Sequence, residues 1–350
     1  MNKLSKMYFI KFTLLLFIFL IIASFKPVKL LSQDQLISKD VSFDLDLGGY
    51  NYPFKTFTYE FQSQSYKLDM IYMYLEAKNA TKGTITLLHG KNFNGAYWER
   101  LANKLNSLGY NVLIPDQIGF GKSSKPINYQ YTFETLALNT KKLLKNLNIK
   151  STQLIGHSMG GMLASRFALL FPDLVQNLIL INPIGLENYL KYVEYKDIDF
   201  FYKKELNLKP IDIINYQKKY YYDGLWNNEY EKLASHLIGW VNGNDWPYLA
   251  KISAKTYDMI FTGSVIEEFK DFKMPVSIII GTRDRTGPGR NWKKNNIDYE
   301  LGRYDKFGKN IKKLNNEILI VELDRLGHLP QIENFDIFYK ALEKKIISND

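Results

Sequence analysis

Along the chain, the first hydrophobic feature is an uncharged apolar run at residues 12–25, preceded by Lys3, Lys6 and Lys11. A basic flank before a stretch of about 14 apolar residues is the pattern of a secretory signal, whereas a free-standing spanning helix wants about 20. Ala23 and Ser24 are small, but Ile21 and Ile22 stand where a second small residue is expected. Residues 1–25 therefore read either as a signal peptide or as an uncleaved membrane anchor. A buried core helix would carry a polar face, which this stretch lacks. The expected location is outside the cytosol: periplasmic, secreted, or held at the membrane by the N-terminus. Residues 26–50 read as a polar connector ending in Gly48 and Gly49.

From Phe54 the pattern changes to short β-rich runs. Residues 56–61 and 68–75 predict two antiparallel strands, and 83–88 a buried one. Further apolar strands are predicted at 110–115, 152–156, 178–181, 276–280 and 318–321. Between them, helical spacing appears at 96–108, stopping at Gly109, then at 132–147, 159–171 and 335–347. Apolar strands alternating with helices predict an α/β fold, a mostly parallel eight-stranded sheet with helices on both faces. Residues 51–184 and 273–350 supply that core. Residues 185–272 lack a clear strand and are crowded with aromatics such as Tyr221, Trp226, Trp240 and Trp246, which predicts an inserted helical cap. A second insertion at 287–315 is basic and loop-like.

Composition narrows the function classes. Hydrophobic residues at 46% and aromatics at 15% supply a sizeable core and exclude a disordered chain. The formal charge of +10 comes from 46 basic and 36 acidic residues, with the lysines scattered rather than gathered into a nucleic-acid-binding block. It reads as a solvated basic surface, or as attraction to an anionic surface or substrate. With no cysteine, disulfides, thiol catalysis, zinc–thiolate sites and a lipidated cysteine are excluded.

The sharpest chemical signal is Gly156-His157-Ser158-Met159-Gly160-Gly161, a G-x-S-x-G pattern between a predicted strand and a predicted helix. A strand that reverses at once into a helix strains the backbone at Ser158, and bulky side chains at 156 and 160 would clash. The turn exposes a hydroxyl above the sheet and leaves the Met159 N–H free to donate to an oxyanion. A serine hydroxyl is a weak nucleophile without a base. Of the four histidines, His157 is expected to turn away from the nucleophile, His236 lies in the cap without a recognisable partner, and His89 ends a strand. His328 lies on a loop after the last strand and is the expected base. Asp284, on the turn leaving strand 276–280, is the expected acid, with Asp324 second; the end of the preceding strand carries Asn182 instead. The second oxyanion donor is expected from the N–H of Lys91, or of Asn92, on the loop after strand 83–88, with the Lys91 side chain facing solvent.

These segments resemble the α/β-hydrolase superfamily, in its capped branch of serine esterases, lactonases, carbon–carbon bond hydrolases and cofactor-free haloperoxidases. The motifs that carry the resemblance are HGKNFNGAYW from His89, DQIGFGKS from Asp116, GHSMGG from Gly156, GTRD from Gly281 and LGHLPQIE from Leu326. The order Ser158, Asp284, His328 is the family's order of nucleophile, acid and base. Asp116 sits beside the active site in the family's pattern and is expected to be structural. The resemblance implies hydrolysis of a carboxylic ester or related acyl bond without metal or cofactor. It equally covers carbon–carbon bond hydrolysis, and a hydrolase fold can also serve as a non-catalytic envelope binding protein. The expected partner is a small-molecule substrate with an apolar portion, lying against aromatic cap residues that either line its site or pack the cap onto the core. No nucleic-acid partner is expected.

Overall fold

The computed structural model describes residues 41–346; the apolar run at 1–25 and the start of the connector lie outside them. Eight strands form one sheet: β1 (Thr56–Ser63), β2 (Tyr66–Leu75), β3 (Thr84–Leu88), β4 (Asn111–Pro115), β5 (Thr152–His157), β6 (Val175–Ile181), β7 (Val276–Gly281) and β8 (Leu319–Leu323). Their order is β1-β2-β4-β3-β5-β6-β7-β8. β2 pairs antiparallel with both β1 and β4, and every pairing from β4 to β8 is parallel. The central strands β3, β5 and β7 are buried at every position, which is why they read as unbroken apolar runs rather than alternating ones.

Alternation still sorts their side chains. Leu154, Leu178, Leu180, Ile278 and Ile280 face a cluster completed by α2 (Phe133–Asn146), α3 (Met159–Leu170) and residues beyond β7. Ile155, Ile179, Ile181 and Ile279 face the opposite cluster, closed by α1 (Glu99–Ser107) and residues beyond β8. A doubly covered sheet results. The chain runs from β3 outward to β4 and then returns to β5 on the other side of β3. This reversal opens a crevice at the carboxyl ends of β3 and β5, where doubly wound sheets place their ligands.

Between β6 and β7 the chain is helical: α4 (Tyr189–Tyr192), α5 (Ile198–Leu206), α6 (Pro210–Tyr220), α7 (Asn228–Asn242) and α8 (Trp246–Thr262). The end of the connector is not a free linker. Leu47 is fully buried among Trp240, Trp246, Leu249 and Ala250. The Phe43 N–H donates to the Gly239 carbonyl at 2.9 Å, and Trp240 Nε1 donates to the Asp44 carbonyl at 3.0 Å. A polar composition hid this strap because few apolar residues, Phe43, Leu45 and Leu47, make its contacts.

The basic stretch at 287–315 is corrected too. It contains a helix, α9 (Tyr304–Leu314), which forms part of the crossover from β7 to its parallel neighbour β8. Tyr304, Phe307, Gly308 and Ile311 face inward, while Lys306, Lys309, Lys312 and Lys313 are exposed. The lysines gave the segment a loop-like composition, yet the i, i+3, i+4, i+7 apolar stripe is that of an amphipathic helix. After β8 come α10 (Pro330–Glu333) and α11 (Phe335–Ile346).

Because Ile311 is buried and Lys309 exposed on the same helix, Ile311→Ala is expected to cost about 2–4 kcal/mol of unfolding free energy. Lys309→Ala should change it by no more than about 0.5 kcal/mol. Urea denaturation of both variants checks the assignment; equal effects would remove α9 from the core.

Candidate active site

β5 delivers Ser158 to the crevice. The serine stands between the last strand residue and the first helical one with φ 57° and ψ −121°, a strained combination for a side chain with a Cβ. Glycine at 160 is obligatory, since a Cβ there would drive into the Leu88 carbonyl oxygen. A Cβ on Gly156 would likewise collide with the Gly160 carbonyl. Ser158 is 6% exposed at the start of α3. The Met159 N–H, first in that helix, has no intrahelical acceptor.

β7 and β8 deliver the other two groups. The Thr282 N–H donates to the Leu323 carbonyl (3.1 Å) and the Arg283 N–H to the Leu326 carbonyl (2.9 Å), zipping the loop after β7 to the loop after β8. His328, fully buried, is thereby held between its neighbours. Its Nε2 lies 3.0 Å from Ser158 Oγ and its Nδ1 lies 2.6 Å from Asp284 Oδ2. The three residues far apart in sequence form one hydrogen-bonded line. Asp284 is itself fully buried, and both its oxygens accept further bonds: Asn182 Nδ2 donates to Oδ2 at 2.8 Å and the Thr286 N–H to Oδ1 at 2.7 Å. Arg283 is turned to Glu333 and Arg285 to Asp305, rather than to the Asp284 carboxylate. Asp324, the second candidate for the acid, is exposed and paired with Arg325 at 3.4 Å.

The loop after β3 comes up against the nucleophile. A Cβ on Gly90 would lie 3.1 Å from Ser158 Cβ, so the backbone leading to Lys91 runs alongside the serine. The Lys91 side chain does not face solvent, contrary to expectation. Its ammonium donates to Ser253 O (3.1 Å), Ser253 Oγ (3.0 Å) and Thr256 Oγ1 (2.8 Å) on α8 and lies 4.1 Å above the Tyr257 ring. Glu205 receives the Ser253 hydroxyl at 2.8 Å. Burial pulls Lys91 down to about 8, against the opposing pull of Glu205. The helical insert supplies three acceptors that composition cannot reveal. Asn92 donates to the Tyr221 hydroxyl at 3.0 Å, and the Tyr221 ring stacks on His328 with centroids 4.5 Å apart.

Beside this loop, under α5–α8, lies a cavity of about 240 Å³. Phe120, Trp240, Trp246 and Tyr257 are among its walls, together with Lys91 and Asn92 of the loop that runs beside Ser158. The other histidines are structural in their contacts. His89 accepts the Gln117 N–H at Nε2 (3.1 Å), and His236 is bonded to the Leu233 carbonyl of its own helix (3.1 Å) and pushed down to about 4 by burial. Asp116 is buried and receives Gly95 N–H (2.7 Å), Lys122 N–H (2.8 Å) and the Tyr52 hydroxyl. Among the described residues there is no group of three or more His, Cys, Asp or Glu side chains placed to hold a metal ion.

Comparison with known proteins gives the family. Residues 83–203 match a family model described as alpha/beta hydrolase fold. Over 279 residues, 75% of this chain and 76% of that protein, the sequence is 34% identical to Lipase 3 of Moraxella sp. strain TA144. The chain belongs to the alpha/beta hydrolase fold family. Lipase 1 of Psychrobacter immobilis is 24% identical over 282 residues, 75% of this chain and 77% of that one. A crystal structure of a probable hydrolytic enzyme from Pseudomonas aeruginosa superimposes with a TM-score of 0.84 at 39% identity, covering 87% of this chain and 98% of that one.

Within this alpha/beta hydrolase, Asn182 and Tyr221 are site residues that sequence reasoning did not assign. In the sequence Asn182 stands out only as an amide where the strand end could carry an acid. Its left-handed backbone (φ 36°) and its bonds to Asp284 and to the Gly281 N–H (2.8 Å) explain why an amide stands there. Tyr221 lies in a run of three tyrosines that carries no distinguishing pattern. Asn182→Ala is expected to cost about 1–3 kcal/mol for the orphaned partners and about 1–2 kcal/mol for the left-handed backbone. Chemical denaturation monitored by fluorescence measures the loss; a change under about 0.5 kcal/mol would contradict the buttressing role.

Proposed function

We propose that the protein is a serine hydrolase that cleaves carboxylic esters through an acyl-enzyme. The observation that carries this reading is the continuous line Ser158 Oγ–His328 Nε2 at 3.0 Å and His328 Nδ1–Asp284 Oδ2 at 2.6 Å. As Ser158 Oγ bonds to the carbonyl carbon, its proton passes to His328 Nε2. Asp284, held by Asn182 and Thr286, keeps the Nδ1–H tautomer and stabilises the imidazolium. The oxyanion is held by the N–H groups of Met159 and Lys91, each worth roughly 10²–10³ in rate. The Nε2 proton then goes to the leaving alcohol oxygen as the carbon–oxygen bond breaks. Water, deprotonated by His328, releases the acid and restores Ser158.

The lipases similar to this chain support an ester substrate, and the aromatic cavity supports an apolar acyl or alkyl portion. The basic flank and apolar run at 1–25 support export, either released or anchored at the membrane. Among the described residues no helix is long and apolar enough to cross a membrane.

A fluorophosphonate probe is expected to label the protein at Ser158, and a p-nitrophenyl ester panel to be turned over. Ser158→Ala and His328→Ala should each lower kcat by about 10⁴-fold or more with little change in thermal midpoint. Ester hydrolysis persisting in either variant would overturn the assignment. Deleting residues 1–25 should move the protein from the membrane fraction to the supernatant if they anchor it; pelleting that survives the deletion excludes the anchor.

A further inference from the structure

His157 precedes the nucleophile and points away from the cavity, fully buried beneath the site. Its hydrogen bonds have only one self-consistent direction. The partner of Nε2 is the main-chain carbonyl of His328, 2.8 Å away, and a carbonyl only accepts, so Nε2 carries the proton. The partner of Nδ1 is the Tyr97 hydroxyl at 3.0 Å. That hydroxyl oxygen already receives the Gly90 N–H at 3.2 Å, and its own proton goes to the Nδ1 lone pair. The chain of donors runs from Gly90 to Tyr97, from Tyr97 to His157, and from His157 to the carbonyl of His328. Burial keeps the ring uncharged, and the neighbouring His328 ring, with centroids 4.9 Å apart, disfavours a second positive charge. Phe93 and Trp98 pack around it.

The two ends of this chain are the two loops that the proposed reaction must hold in register with Ser158. Gly90 belongs to the loop that runs beside the serine toward the oxyanion donor, and His328 carries the base. We propose that His157 is a positioning residue: as the neutral Nε2–H tautomer, it ties the base loop and the oxyanion loop to β5, the strand that presents the nucleophile. The nucleophile is fixed by the main chain of β5 and the base by the side chain one residue earlier, so the Ser158–His328 distance is set within a single rigid frame. A side chain that cannot donate at this position lets the His328 backbone drift, and a displacement of about 1 Å at a reacting group can cost about 10²-fold in rate.

The inference rests on the serine-hydrolase reading, which labelling of the unaltered protein at Ser158 checks by itself. The test compares His157→Leu, His157→Gln and Tyr97→Phe in the full chain, with active sites counted by fluorophosphonate titration. In His157→Leu, kcat per titrated site is expected to fall about tenfold to a hundredfold, with KM changed by less than about threefold. The downfield proton resonance of the His328–Asp284 hydrogen bond should shift or broaden. Glutamine can donate its amide N–H to the same carbonyl and should recover part of the loss; Tyr97→Phe should show a smaller fall. A kcat per titrated site within about twofold of the unaltered protein in His157→Leu would overturn the proposal. So would a glutamine variant no better than the leucine one, or a loss accounted for entirely by fewer titratable sites.

Discussion

The close approach of three backbones at residues 88–90, 156–158 and 160 is the constraint on which the rest of the site depends. The first turn of α3 lies directly against the ends of β3 and β5, leaving no space for a Cβ at 156 or 160. This contact forces Ser158 into its strained conformation, and the strain is held by a sheet whose central strands are buried on both faces. A looser junction would relax the serine into an ordinary turn and lower its hydroxyl into the helix. Steric exclusion at two glycines is thus what converts a strand end into a presenting surface.

Around that junction the charged groups Asp284 and Lys91 are both met by hydrogen-bond partners. Asp284 lies at zero exposure yet accepts from a histidine, an amide and a backbone N–H. Lys91 is turned inward yet meets three oxygens. An uncompensated ion in such surroundings would cost several kcal/mol and would shift its titration or open the structure to water. The Ser158–His328–Asp284 line combines low exposure with several hydrogen bonds to each of its charged or titratable groups, which keeps its geometry defined before any ligand arrives.

Much of this was legible in the sequence because it is local chemistry. The eight strands were visible as short apolar runs, and Gly156-His157-Ser158-Met159-Gly160 declared a strand-to-helix turn by its glycines. His328 and Asp284 stand out by their places on loops leaving apolar runs, and the structure sets His328 between Ser158 and Asp284. What was not legible depends on partners remote in sequence. The inward course of Lys91 is decided by Ser253 and Thr256, more than 160 residues away. Asn182 acquires its meaning only beside Asp284, and α9 was concealed by lysines on its outer face. The strap at 41–50 is held by a few apolar side chains together with backbone hydrogen bonds to residues about 200 positions away, and the latter leave no mark on composition.

That strap gives the first of the described residues an unusual mechanical attachment. It is fastened to α7 through the Gly239 carbonyl and the Trp240 indole and to Asp245 just beyond it, elements that roof the cavity, rather than to the edge of the sheet alone. A pull on the N-terminal side of Val41 would bear directly on the helices that wall the pocket, through these three bonds.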